Sequence, residues 1–165
     1  MRTTTFLLLA LCAALMLEGM NPVVADTASP VVQLVYMVPS DRTEQPVYRE
    51  VTAAALRDVQ HWIASKMEGR TFRIQEPMIV MHSTHDAEWF ATNPTGGDPA
   101  WICWENAFAE LTAVYPFDPT SIVYVVYVDA DQPPGTFGGG GREGVCIVPA
   151  DDLRGLSGEP IHGGG

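Results

Sequence analysis

Two runs of β-branched and aromatic residues constrain this chain more than anything else in it: Val31–Val38 (VVQLVYMV) and Ser121–Val128 (SIVYVVYV). Each is apolar at almost every position. A strand with one wet face alternates apolar and polar residues, whereas a strand covered on both sides does not. Both runs therefore read as central strands of a sheet that lies between other layers. Pro39-Ser40-Asp41 ends the first.

Between them the periodicity changes from that of a strand to that of a helix. Pro46–Glu68 opens on a proline suited to a first helical turn and closes before Gly69. Val51, Ala55, Val59, Trp62, Ile63 and Met67 fall on one face of that helix, so this face is expected to dock on the sheet, with Trp62 and Met67 in the core. Trp101, Trp104, Phe108, Leu111 and Tyr115 are spaced 3, 4, 3 and 4, which predicts a second helix over 101–115. Thr71–Met81 reads as a strand or paired strands, interrupted at Glu76-Pro77. Glu88–Thr92 reads as one helical turn, Gly144–Pro149 as a short strand, and Asp151–Gly158 as a turn region. Asp129–Arg142, rich in glycine and proline, reads as a long loop, a length that in compact domains marks function or disorder. The sum is an α/β layered domain, with a central mixed sheet of about four or five strands and two main helices.

The N-terminus reads as a secretory signal peptide. Arg2 supplies the positive charge, and Phe6–Leu17 is apolar but too short to span a bilayer. Glu18, Gly19, Asn21 and Pro22 break the run, and Val23-Val24-Ala25 offers small residues for cleavage after Ala25. Leu11 is too bulky for Cys12 to belong to a lipid-attachment box; a buried N-terminal helix is the other reading of the segment. Residues 26–165 are then a single domain, secreted or periplasmic, with no later stretch of membrane-spanning length. The net charge of -11 disfavours nucleic acid and anionic membranes as partners.

Of three cysteines, Cys12 leaves with the signal peptide. Cys103 and Cys146 remain, an even pair in an oxidising compartment, and read as a disulfide. Two buried thiols, or pairing with a cysteine outside this chain, are the other readings.

Candidate chemistry is sparse. His82-Ser83-Thr84-His85-Asp86 places possible metal ligands close together, but the segment looks like a strand end, where that spacing turns the imidazoles apart; a solvated turn is the competing reading. Asp129 and Asp131 sit where a central strand meets its loop, a usual place for ligands in α/β sheets, and suit calcium or an exposed acidic turn. Gly138–Gly141 lacks the Lys-Ser/Thr and the following helix of a phosphate cradle, and reads as a flexible loop. No Gly-x-Ser-x-Gly elbow occurs.

Taken in order, Tyr36–Arg42 (YMVPSDR), Gly69–Ile74 (GRTFRI), Val126–Asp131 (VYVDAD), Gly138–Gly141 and Leu153–Pro160 (LRGLSGEP) resemble the N-terminal portion of the exported bacterial zinc metallopeptidases of the zincin type. The resemblance implies the N-terminal subdomain of a zincin, with a peptide or protein substrate and zinc as cofactor. It implies an edge strand that pairs with extended substrate, a part that falls here to Val145, Cys146, Ile147 and Val148. In that family a His-Glu-x-x-His helix follows a glycine-rich approach like 162–165, its histidines binding zinc and its glutamate polarising water. None of His61, His82, His85 or His162 lies in such a motif, so the expectation is an incomplete N-terminal half whose zinc ligands lie outside this chain. A secreted non-enzymatic binding domain, using the 129–142 loop or an open sheet edge, and a calcium-stabilised envelope module are the competing functions.

Overall fold

The computed structural model describes residues 29–93 and 98–161. The expected signal peptide, His162 and the closing glycines lie outside the described residues. The elements are β1 (Val31–Val38), α1 (Pro46–Lys66), β2 (Arg73–His82), α2 (Ala87–Thr92), a 3-10 turn (Pro99–Trp101), α3 (Ile102–Val114), β3 (Ile122–Val128), β4 (Gly140–Arg142), β5 (Val145–Val148) and α4 (Ala150–Ser157). The protein is an α/β layered domain around one five-stranded mixed sheet in the order β2-β1-β3-β5-β4. β2, β1, β3 and β5 are mutually parallel, and β4 alone runs antiparallel, against β5.

The two apolar runs are the heart of the sheet, as their sequence predicts. β1 is paired on both sides and is buried along nearly its whole length. On one face Val35 and Met37 join Tyr124, Val126 and Val128 against Cys103, Trp104, Ala107 and Leu111 of α3. On the other, Tyr36 and Val38 pack on Tyr48 of α1 and Leu153 of α4, while Val32 and Leu34 pack on Leu56. Helices thus cover both faces, which explains why neither strand alternates. The one polar residue in β1, Gln33, is buried and satisfied: its amide donates to the carbonyls of Leu34 (3.0 Å) and Pro77 (3.2 Å). That second bond crosses to β2 where the register slips, at a proline that has no N–H to give.

The rotation of α1 differs from the expected one. Its buried residues are Tyr48, Thr52, Leu56 and Ala64. Trp62 is 64% exposed, and Val59 and Met67 are also on the surface. Two adjacent flanks of this helix compete, and the richer one, Val51-Ala55-Val59-Trp62, loses. Tyr48 meets Tyr36 edge-on at 6.1 Å, and the Thr52 hydroxyl is satisfied within the helix by the Tyr48 carbonyl at 2.7 Å. A tyrosine and a threonine thus sit on the buried flank at little polar cost.

Where Asp151–Gly158 is expected as a turn region, Ala150–Ser157 form a helix that stops at Gly158 in the left-handed conformation (φ +80°). Asp151, Asp152 and Gly155 disguise it in the sequence, but Leu153 is fully buried between α1 and the sheet.

Candidate functional site

Two places in the fold gather chemistry: the β4 margin of the sheet and the crevice above β1 and β3.

At the margin, the glycine run is not merely a loop. Gly140 and Gly141 begin β4, which pairs Gly140, Gly141 and Arg142 with Ile147, Cys146 and Val145. Val145–Val148 is therefore an interior strand between β3 and β4, not the edge strand expected of it. A three-residue strand with no apolar pattern leaves little trace in sequence, so the sequence points to the neighbouring strand as the edge. Glycine is needed at 140 because Trp101 lies against the backbone: an added Cβ would be 2.5 Å from its ring. The Trp104 indole donates to the Gly140 carbonyl at 2.9 Å. Arg142 lays its guanidinium 3.7 Å above the Phe108 ring and 5.1 Å from that of Trp104. Trp101 stacks in turn on Phe137, centroids 4.4 Å apart. A shallow cavity of about 200 Å³ opens here, lined by Trp101, Trp104, Glu105, Gly141 and Arg142.

The crevice lies where the chain changes direction across the sheet. β1 leads by α1 to β2 on one side, and β2 leads back by α3 to β3 on the other, so the strand order reverses between β1 and β3. Ligands of open α/β sheets bind outside the carboxyl ends of the strands at such a point. Asp129 stands there, 5% exposed, its Oδ2 accepting from the Tyr36 hydroxyl at 3.2 Å. Burial raises its pKa above the ordinary carboxylate value, against the Tyr36 hydrogen bond and the charges of Arg42 and Arg154. Burial, and then the charge of Asp129, push the Tyr36 hydroxyl upward in turn. Asp131 is held by Arg154 at 2.6 Å and more loosely by Arg42 at 3.7 Å, and Arg154 also binds Asp151 at 2.7 Å. Asp129 and Asp131 thus do not form the shared calcium cradle that their spacing suggested: one is matched to a tyrosine and the other to two arginines.

His82 and His85 do not converge with a third ligand. His82, exposed at the end of β2, lies 3.9 Å from Glu44. His85 stacks on Trp89 at 3.8 Å and lies 3.7 Å from Glu110, which also accepts from the Ser83 hydroxyl at 2.7 Å. Both histidines line an open cleft of about 510 Å³. Among the described residues no three of His, Cys, Asp and Glu are grouped to hold a metal ion.

The disulfide expected between Cys103 and Cys146 is not formed; both are free thiols. Strand alternation gives the reason. Val145 and Ile147 point into the α3 face that contains Cys103, so Cys146 points to the opposite face, toward Asp152 and Tyr127. Burial pushes the Cys103 thiol up to about 12.

The β4 margin, Tyr36 and Tyr48, and Arg154 escaped the sequence reading. Tyr36 lies within an apolar strand run, Tyr48 lies off the expected helix face, and Arg154 lies in a segment expected as a turn. Sequence comparison finds no known family and no curated protein like this chain, and structure comparison finds no solved structure like it. Among the described residues, no helix is long and apolar enough to cross a membrane.

Proposed function

We propose that this domain is the non-catalytic, substrate-holding portion of an exported zinc-dependent endopeptidase, and that it holds an extended peptide along β4. The observation that carries the reading is the end of the sheet. A parallel sheet closes on one short antiparallel strand, Gly140-Gly141-Arg142, which pairs with β5 on its inner side and has no strand beyond it among the described residues. An uncovered edge binds unfolded chain through main-chain hydrogen bonds. Small residues let a second backbone approach. The aromatic cavity beside β4 gives a place for a peptide side chain that projects to the α3 face. The opposite sheet margin suits this role less, because Pro77 interrupts its donors and charged Arg73 and Glu76 flank it. In this reading the zinc ligands and general base belong to a His-Glu-x-x-His helix outside this chain. The calcium-stabilised reading gains nothing from Asp131, whose charge is already met by arginines.

The test keeps the protein intact and changes the peptide. Reduced, unfolded casein is digested, and peptides that bind the chain are resynthesised with N-methylation at alternate amides. Edge addition predicts that methylation of one alternate set weakens binding at least tenfold and that the other set is tolerated. Equal tolerance of both sets contradicts it.

A further inference from the structure

The crevice between the carboxyl ends of β1 and β3 is a second candidate site, separate from the peptide edge. It is a cavity of about 420 Å³ lined by Arg42, Thr43, Gln45, Tyr48, Asp129, Arg154, Glu159 and Pro160. That is a size suited to small ligands, but its lining is polar rather than the usual mostly apolar surface. We propose that it binds a small organic cation through a primary ammonium group, with Asp129 as the deep counter-charge and Glu159 at the mouth.

Three observations carry this. First, the charges do not balance. Two guanidinium groups, Arg42 and Arg154, face four carboxylates, Asp129, Asp131, Asp151 and Glu159, and the ion pairs that the guanidiniums make are to Asp131 and Asp151. Among the described residues Asp129 and Glu159 form no direct ion pair, although the charges of Arg42 and Arg154 reach Asp129 from farther off. Second, Asp129 is nine-tenths buried and lines the cavity, yet only its Oδ2 is engaged, by Tyr36; its Oδ1 receives no hydrogen bond among the described residues. That oxygen is not closed off from solvent among the described residues, so a bound N–H⁺ can reach it with a charge-assisted hydrogen bond. Third, both carboxylates are held in place by neighbouring donors, Glu159 directly and Asp129 through Tyr36. Tyr48 hydrogen-bonds Glu159 Oε2 at 3.1 Å, Ser157 fixes Glu159 Oε1 at 3.0 Å, and the Tyr36 hydroxyl receives the Gln45 N–H at 3.4 Å. An ammonium group has three donors on one small head, which suits a single deep carboxylate better than the flat fork of a guanidinium.

Calorimetric titration of the chain with 1,5-diaminopentane tests the proposal, with 1,5-pentanediol as the uncharged control. Two peptides separate the sources of the ammonium group: one with lysine and a blocked N-terminus, the other with a free N-terminus and no lysine. The diamine is expected to bind and the diol not to. Asp129→Asn should weaken the diamine at least tenfold, and Glu159→Gln severalfold. Glu159 is on the surface, so its variant decides the matter even if the buried substitution fails to fold. Binding by the lysine peptide alone, or by the free N-terminus alone, identifies the natural carrier and supports the site. Binding of the diol as tightly as the diamine overturns the proposal, as does unchanged diamine affinity in both variants or no diamine binding at all.

Discussion

At the residue scale, the most consequential side chain is Asp129, a carboxylate that burial has made harder to ionise. Its raised native pKa sets a sign. Below about pH 4, near the unfolded carboxylate value, both states hold the proton and the group adds no penalty. As pH rises through that value the unfolded chain ionises first, so native stability falls, until the pH has passed the raised native value and the loss is complete. Asp129→Asn should remove its share. The urea midpoint of the variant relative to the parent is expected to rise between pH 4 and pH 7; a difference that does not change with pH contradicts the account. The thiols give a second prediction. Cys146 is half-buried and Cys103 is buried, so a thiol reagent on the native chain should label Cys146 first. Reductant should leave the denaturation midpoint unchanged, whereas a native disulfide would add about 2–4 kcal/mol.

At the scale of elements, the sequence was legible where a segment is buried on both sides and obscure where it is short or polar. Val31–Val38 and Ile122–Val128 state their place through composition alone. The helix over 101–115 is read correctly because its aromatic stripe has no rival flank. For α1 the periodicity is right and the face is wrong, since Tyr48 and Thr52 are weaker apolar signals than Val59 and Trp62 yet dock against the sheet. The two faces can be told apart by substitution. Leu56→Ala should cost about 2–5 kcal/mol, as a buried leucine does, and Trp62→Ala no more than about 0.5 kcal/mol. Comparable losses at both positions would mean that α1 is rotated otherwise. The β4–β5 hairpin depends on Gly144, at φ +80° with an added Cβ 2.4 Å from Pro119. Gly144→Ala should therefore destabilise by about 2–4 kcal/mol, from backbone strain and overpacking together. A neutral effect in thermal melts would contradict the tightness of that turn.

At the scale of the whole molecule, the layered α/β class follows from the strand runs and helix periods. The candidate sites do not follow in the same way, because they depend on which segments the sheet order brings together. Asp129 and Asp131 at a strand end were visible as a place where ligands gather, but their partners Tyr36, Arg42 and Arg154 come from three other parts of the chain. The edge strand was expected as a role and assigned to residues 145–148; a three-residue strand of two glycines and an arginine then takes the outer position. Amide hydrogen exchange on the chain, with and without a bound extended peptide, tests the central claim that β4 is the peptide-holding edge. New protection is expected within Gly140–Arg142, with the exchange of β2 amides unchanged. Protection along β2 instead, or none in β4 while the peptide is bound, would contradict it.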